Sequence, residues 1–135
     1  MDNQRVINDT YILVDYLRDN VKATSLVARL ENDKARLATT TINAFELYLG
    51  AHKAKEPEKA THATRQLLDR LVLLPLTLKS AQRAGHIYAD LEKQGQPIGL
   101  RDTFIGAIAL TRDYKVATRN LDHFKKIDNL QIIDF

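Results

Sequence analysis

The stretch RVINDTYILVDYL, Arg5 to Leu17, changes character at Asp9. Arg5 to Asn8 is short and β-prone, whereas Ile12, Leu13, Val14 and Leu17 recur beyond it with helical spacing. A strand that runs straight into a helix, with an acid at the junction, is a unit of an α/β domain. The alternation recurs along the chain. A second helix is expected from Thr24 or Ser25 through SLVARLEND, then a strand at RLAT (36–39). The run TTINAFELYLGAHKAK follows as a helix entered through threonines. Pro57 stands where the next helix can begin, through PEKATHATRQLLDRL. VLLPL is a short strand broken by Pro75, and LKSAQRAGHIYADLEKQG a long helix with Gly95 as its C-cap. After the loop QPIGLR come a helix at DTFIGAIALTRDY, a strand at KVATRN and a closing strand within LQIIDF. This order predicts an α/β fold with a mainly parallel sheet. No repeat or linker interrupts it, so residues 1–135 are expected to form one domain.

Apolar residues make up 44% of the chain and charged residues 27%, as in globular proteins rather than disordered ones. With no cysteine, disulfides and thiolate zinc sites are excluded. The stretch MDNQRVINDTYILVDYL does not have the pattern expected of a signal peptide, and the apolar runs fall far short of the ~20 residues of a membrane span. A cytoplasmic location away from membranes is therefore expected. The formal charge of +3 permits a nucleic-acid partner without specifying one.

Three acids stand in unusual places. Asp9 follows the first strand, where open α/β sheets bind ligands, although it also suits a helix N-cap. Glu46 lies four residues after Ile42 and three before Leu49, beside an apparent inward stripe of Ile42, Phe45 and Leu49. A carboxylate there needs a cation, a metal or donors, unless it snorkels outward. Asp102 opens the helix of GLRDTFIGAIAL, again as ligand or N-cap, with Gly106 and Ala109 allowing close packing. Ile105 occupies the position where a capping box would have Glu or Gln. Gathered at one end of a sheet, three such acids would repel one another unless divalent cations neutralised them. All-oxygen ligands suit hard ions such as Mg²⁺ or Mn²⁺.

The segments VINDTYILVD, AFELYLG, PIGLRDTFIGAIA and ATRNLDHF, in this order, resemble the PIN-domain family, in particular VapC-type toxin ribonucleases. The resemblance runs from about Val6 to the C-terminus. It implies a three-layer α/β/α fold and Mg²⁺- or Mn²⁺-dependent RNA cleavage. Asp9, Glu46 and Asp102 match the family's three acids, as metal ligands and catalytic residues. Thr118 and Asn120 match the last motif, but His123 stands where relatives commonly carry an acid before Phe, and Asp122 is one position earlier. Asn120 and Asp122 are therefore auxiliary candidates. The resemblance also implies an RNA substrate, a homodimer and a cognate antitoxin protein.

Arg101, Arg119, Lys125 and Lys126 lie close in sequence to the acids and are candidates for holding RNA phosphates, or for pairing with those acids. His123 reads as a surface residue or an RNA contact, and the histidines at 52, 62, 86 and 123 show no metal-ligand spacing. Tyr48, Leu49, Leu67, Leu71 and Tyr88 are either core or interface. A haloacid-dehalogenase-type phosphotransferase is disfavoured because Tyr11 stands where that class has its second Asp. A catalytically inactive RNA- or partner-binding module, and a housekeeping RNA-processing nuclease, remain as alternatives.

Overall fold

A computed structural model describes residues 5–18, 28 and 36–134. The helix expected through SLVARLEND lies outside the described residues, apart from Ala28. The five described strands are β1 (Arg5–Asn8), β2 (Arg36–Thr40), β3 (Val72–Leu74), β4 (Lys115–Thr118) and β5 (Ile132–Asp134). They form one sheet in the order β3-β2-β1-β4-β5, and every pairing is parallel. Six helices complete the described residues: α1 (Thr10–Leu17), α2 (Thr41–His52), α3 (Pro57–Leu68), α4 (Leu78–Lys93), α5 (Leu100–Arg112) and α6 (Leu121–Phe124).

The central strand β1 is covered on both faces, which is why Val6, Ile7 and Asn8 are all buried. Alternation sends Ile7 into a core with Ile105, Ile108, Val116 and Phe124, under α4 and α5. Val6 faces the other way, toward Ile12 of α1 and Ala117. Beyond it, Leu13 packs with Leu47, Leu67 and Leu68 of α2 and α3. The result is the expected α/β/α layering. Of the apolar surface candidates, Leu67 is core, Tyr48 and Leu71 pack beside it, and Leu49 is exposed.

Chain direction in the sheet explains where a site can form. The first three strands step outward from β1 on one side, then the chain returns to place β4 and β5 on the other. The order reverses between β1 and β4, and ligands of open α/β sheets bind beyond the carboxyl ends of strands at such a reversal. Asn8 ends β1 and Thr118 ends β4 at that point.

Two local expectations need correction. The inward face of α2 carries Asn43, Leu47 and Ala51, while Phe45 is 65% exposed. The Ile42–Phe45–Leu49 stripe is thus misplaced by about one position. A polar residue can lead the inward face because Asn43 is fully hydrogen-bonded there. Helix α5 begins at Leu100 rather than Asp102, because Gly99 (φ 86°) turns the chain into the helix from a left-handed conformation. Asp102 therefore sits in the first turn and does not cap it. Gly106 packs against Ile127, whose Cδ1 would lie 2.4 Å from an added Cβ.

Candidate active site

Asp9 caps α1, accepting from the Thr10 backbone N–H at 2.8 Å, and it is buried. The cap leaves its carboxylate with further capacity. Oδ1 accepts from Asn43 Nδ2 at 3.0 Å, and Oδ2 accepts from Thr118 Oγ1 at 2.7 Å. The orientation of the Asn43 amide is set by its neighbours. Its Oδ1 accepts from the Thr40 backbone N–H at 3.2 Å within the capping box of α2, so Nδ2 must face Asp9.

Glu46, one turn further along α2, accepts from Thr10 Oγ1 at 2.5 Å. Asp102 arrives from α5 and is held through Oδ2 by Asn120 Nδ2 at 2.6 Å and His123 Nδ1 at 2.7 Å. At the centre lies Arg101. Its Nε reaches Glu46 Oε2 at 2.6 Å, Nη1 reaches Asp102 Oδ1 at 2.6 Å, and Nη2 reaches Asp9 Oδ1 at 2.5 Å. One guanidinium thus bridges three acids from α1, α2 and α5. Burial alone lowers the Arg101 pKa, but hydrogen bonds and charges from Glu46 and Asp9 outweigh it and raise the net value, so the group stays charged.

A protein-family model described as the PIN domain matches residues 6–130. This chain belongs to the PIN-domain family. "Ribonuclease VapC2" of Haemophilus influenzae is 29% identical over 119 residues, which cover 88% of this chain and 89% of the relative. The "tRNA(fMet)-specific endonuclease VapC" of Salmonella typhimurium is 31% identical over 107 residues, covering 79% of this chain and 81% of the relative. A chain in the crystal structure of DNA-bound VapBC from Salmonella typhimurium superposes with a TM-score of 0.86 at 27% identity, covering 98% of each chain. VapBC-1 from nontypeable Haemophilus influenzae gives a TM-score of 0.86 at 28% identity, covering 97% of this chain and 98% of the other.

In this PIN domain, Asp9, Glu46, Asp102 and Asn120 come together, but Asp122 does not. Asp122 is exposed on α6, and no hydrogen bond joins it to the acids among the described residues. Of the basic candidates, only Arg101 lies within the acid cluster. Arg119 pairs with Asp15, and Lys125 is exposed. His123 takes the place that sequence reasoning weighed for Asp122. Thr10 and Asn43 were not singled out from the sequence. The signal available for Asn43 was its position three residues after Thr40, at the capping-box site.

The donor set suits a hard divalent cation: three carboxylates, with a threonine hydroxyl and an asparagine amide behind them. Against one guanidinium, the three acids leave two formal negative charges in excess. Among the described residues, no three His, Cys, Asp or Glu are gathered closely enough to cage an ion. In this arrangement each acid faces a different nitrogen of one guanidinium.

No described helix is long and apolar enough to cross a membrane.

Proposed function

We propose that this PIN-domain protein is a divalent-metal-dependent endoribonuclease, the toxin of a toxin–antitoxin pair. One observation carries the reading: Asp9, Glu46 and Asp102, distant in sequence, meet around a single cation at the reversal of strand order. The named activities of the relatives, ribonuclease and tRNA endonuclease, give the same direction. The similar solved chains come from VapBC complexes, which supports a protein antitoxin as partner. A homodimer and a cytoplasmic location belong to the same reading.

Asp9, Asp102 and Glu46 would hold Mg²⁺ or Mn²⁺. A bound ion of this kind lowers the pKa of water and stabilises charge on the scissile phosphate. Thr118 and Asn43 fix the Asp9 carboxylate, while Asn120 and His123 fix that of Asp102. Glu46, with a side chain 28% exposed against 2% and 5% for the two aspartates, has the open position needed to orient the attacking water.

The test is to incubate purified protein with structured RNAs, tRNA included, in Mn²⁺, Mg²⁺ or chelator. Internal cleavage is expected with metal only, and activity that survives chelation or Asp9→Asn overturns the mechanism. For the toxin role, expression is expected to arrest growth, with relief by a small co-encoded protein. Harmless expression would replace that role with RNA processing.

A further inference from the structure

Arg101 makes an unusual use of its guanidinium. Nε, Nη1 and Nη2 engage Glu46 Oε2, Asp102 Oδ1 and Asp9 Oδ1, one carboxylate for each nitrogen. Nη2 also reaches Thr10 Oγ1 at 3.2 Å. These carboxylate oxygens are the ones a divalent cation would need. A guanidinium and a divalent ion cannot both occupy the centre of the cluster, since each repels the other and both require the same lone pairs.

We propose that Arg101 is an exchangeable internal counter-ion, which holds the three acids in the metal-free chain and must swing out before a divalent cation binds. The exchange is mechanically simple. Arg101 stands in the first turn of α5, and its side chain keeps 30% of its surface in solvent. Rotation about its flexible stem moves the guanidinium outward without breaking a strand or a helix. The acids are anchored independently of it: Asp9 by Thr118 and Asn43, Glu46 by Thr10, and Asp102 by Asn120 and His123. The carboxylates therefore keep their anchors when Arg101 leaves, and only small side-chain movements are needed to draw them together around a smaller ion. Metal affinity is set by competition with this residue. A displaced guanidinium also stands at the rim, where it can receive a phosphate.

This inference rests on the metal-dependent reading above, and direct metal binding separates the two. Mn²⁺ is titrated calorimetrically into chelator-treated wild-type protein, Arg101→Gln and Arg101→Lys. Thermal melts are recorded in chelator and in Mn²⁺. Arg101→Gln is expected to bind Mn²⁺ about 10-fold more tightly or better. It should melt below wild type in chelator, and gain more from Mn²⁺ than wild type does. Arg101→Lys, a point charge unable to span three carboxylates, should fall between them. Should Arg101→Gln not fold in chelator, the lysine variant carries the same comparison. Wild-type binding with equal or weaker binding by the variants overturns the exchange alone. Absence of Mn²⁺ binding by wild type and variants alike overturns both the exchange and the metal-dependent reading.

Discussion

Thr118 Oγ1 donates to Asp9 Oδ2 at 2.7 Å, joining residues 109 positions apart across the two strands where the sheet order reverses. The same oxygen accepts from the Asn120 backbone N–H at 3.0 Å, so a single hydroxyl ties the turn after β4 to the acid after β1. Thr118→Val keeps the shape and removes both bonds. The loss should destabilise the fold by about 1–3 kcal/mol, as expected for a buried acceptor left unsatisfied. RNA cleavage should fall by roughly 10- to 100-fold, as for other groups that orient a metal ligand. Chemical denaturation and a cleavage time course check the two effects separately.

Asp9→Asn should retain the fold, because Asn serves as an N-cap about as well as Asp. It removes one of the charges that face Arg101. Cleavage is expected to drop beyond the roughly 10- to 100-fold typical of a residue that only supports a ligand. The melting temperature should move by no more than a few degrees. A large drop in melting temperature together with activity would instead make Asp9 a structural residue.

The strand–acid–helix junction made Asp9 legible in the sequence, since a β-prone run and a helical run meet at one residue. Glu46 was legible as a member of the site but for a mistaken reason. Its apparent stripe of Ile42, Phe45 and Leu49 is not the inward face, and Asn43 turns inward because Thr40, Asp9 and Thr10 satisfy its amide. Apolar periodicity could not report a buried polar network. The start of α5 was misjudged by two residues because it depends on the left-handed turn at Gly99. Arg101 was legible as a partner of the acids, since it adjoins Asp102, but not as the point where all three meet. That role, and His123 rather than Asp122 beside Asp102, depend on contacts between segments far apart in sequence.

His123 and Asp122 form a direct contrast. His123→Ala removes one of the two partners of Asp102 Oδ2, leaving Asn120, and should lower cleavage by about 10-fold, the smaller end of the range for an orienting partner. Asp122→Ala, on the exposed side of α6, should leave cleavage within experimental scatter. The reverse pattern would move the auxiliary role back to Asp122.

The pH dependence of the central ion pair follows from the upward shift of Arg101. A cation whose folded pKa is raised contributes stability that is complete below its unfolded value, itself far into the alkaline range, and is lost only as pH rises through the still higher folded value. The difference in melting temperature between wild type and Arg101→Gln, measured in chelator, should therefore be flat between about pH 8 and 10. A difference that shrinks steadily over this interval would show that Arg101 loses its proton there.

Gly99 and Gly50 should respond oppositely to alanine. At Gly99 the positive φ makes a Cβ unfavourable by roughly 1–2 kcal/mol, and the start of α5 should loosen. Gly50, inside α2 with open space where a methyl group would stand, should gain about 0.5–1 kcal/mol from the same change. Paired denaturation curves test both, and a stabilised Gly99→Ala would refute the account of how α5 begins.

The strand order also has a consequence in time. Ribosomal synthesis delivers β1, β2 and β3 first, so Asp9 and Glu46 emerge long before their counterparts. Strand β4, which seats against β1, is complete only at Thr118, and the anchors of Asp102 follow at Asn120 and His123. A nascent chain, or one cut short before β4, holds acids but no assembled centre. The acid centre therefore has no means of assembling until Asn120 and His123 have joined the chain.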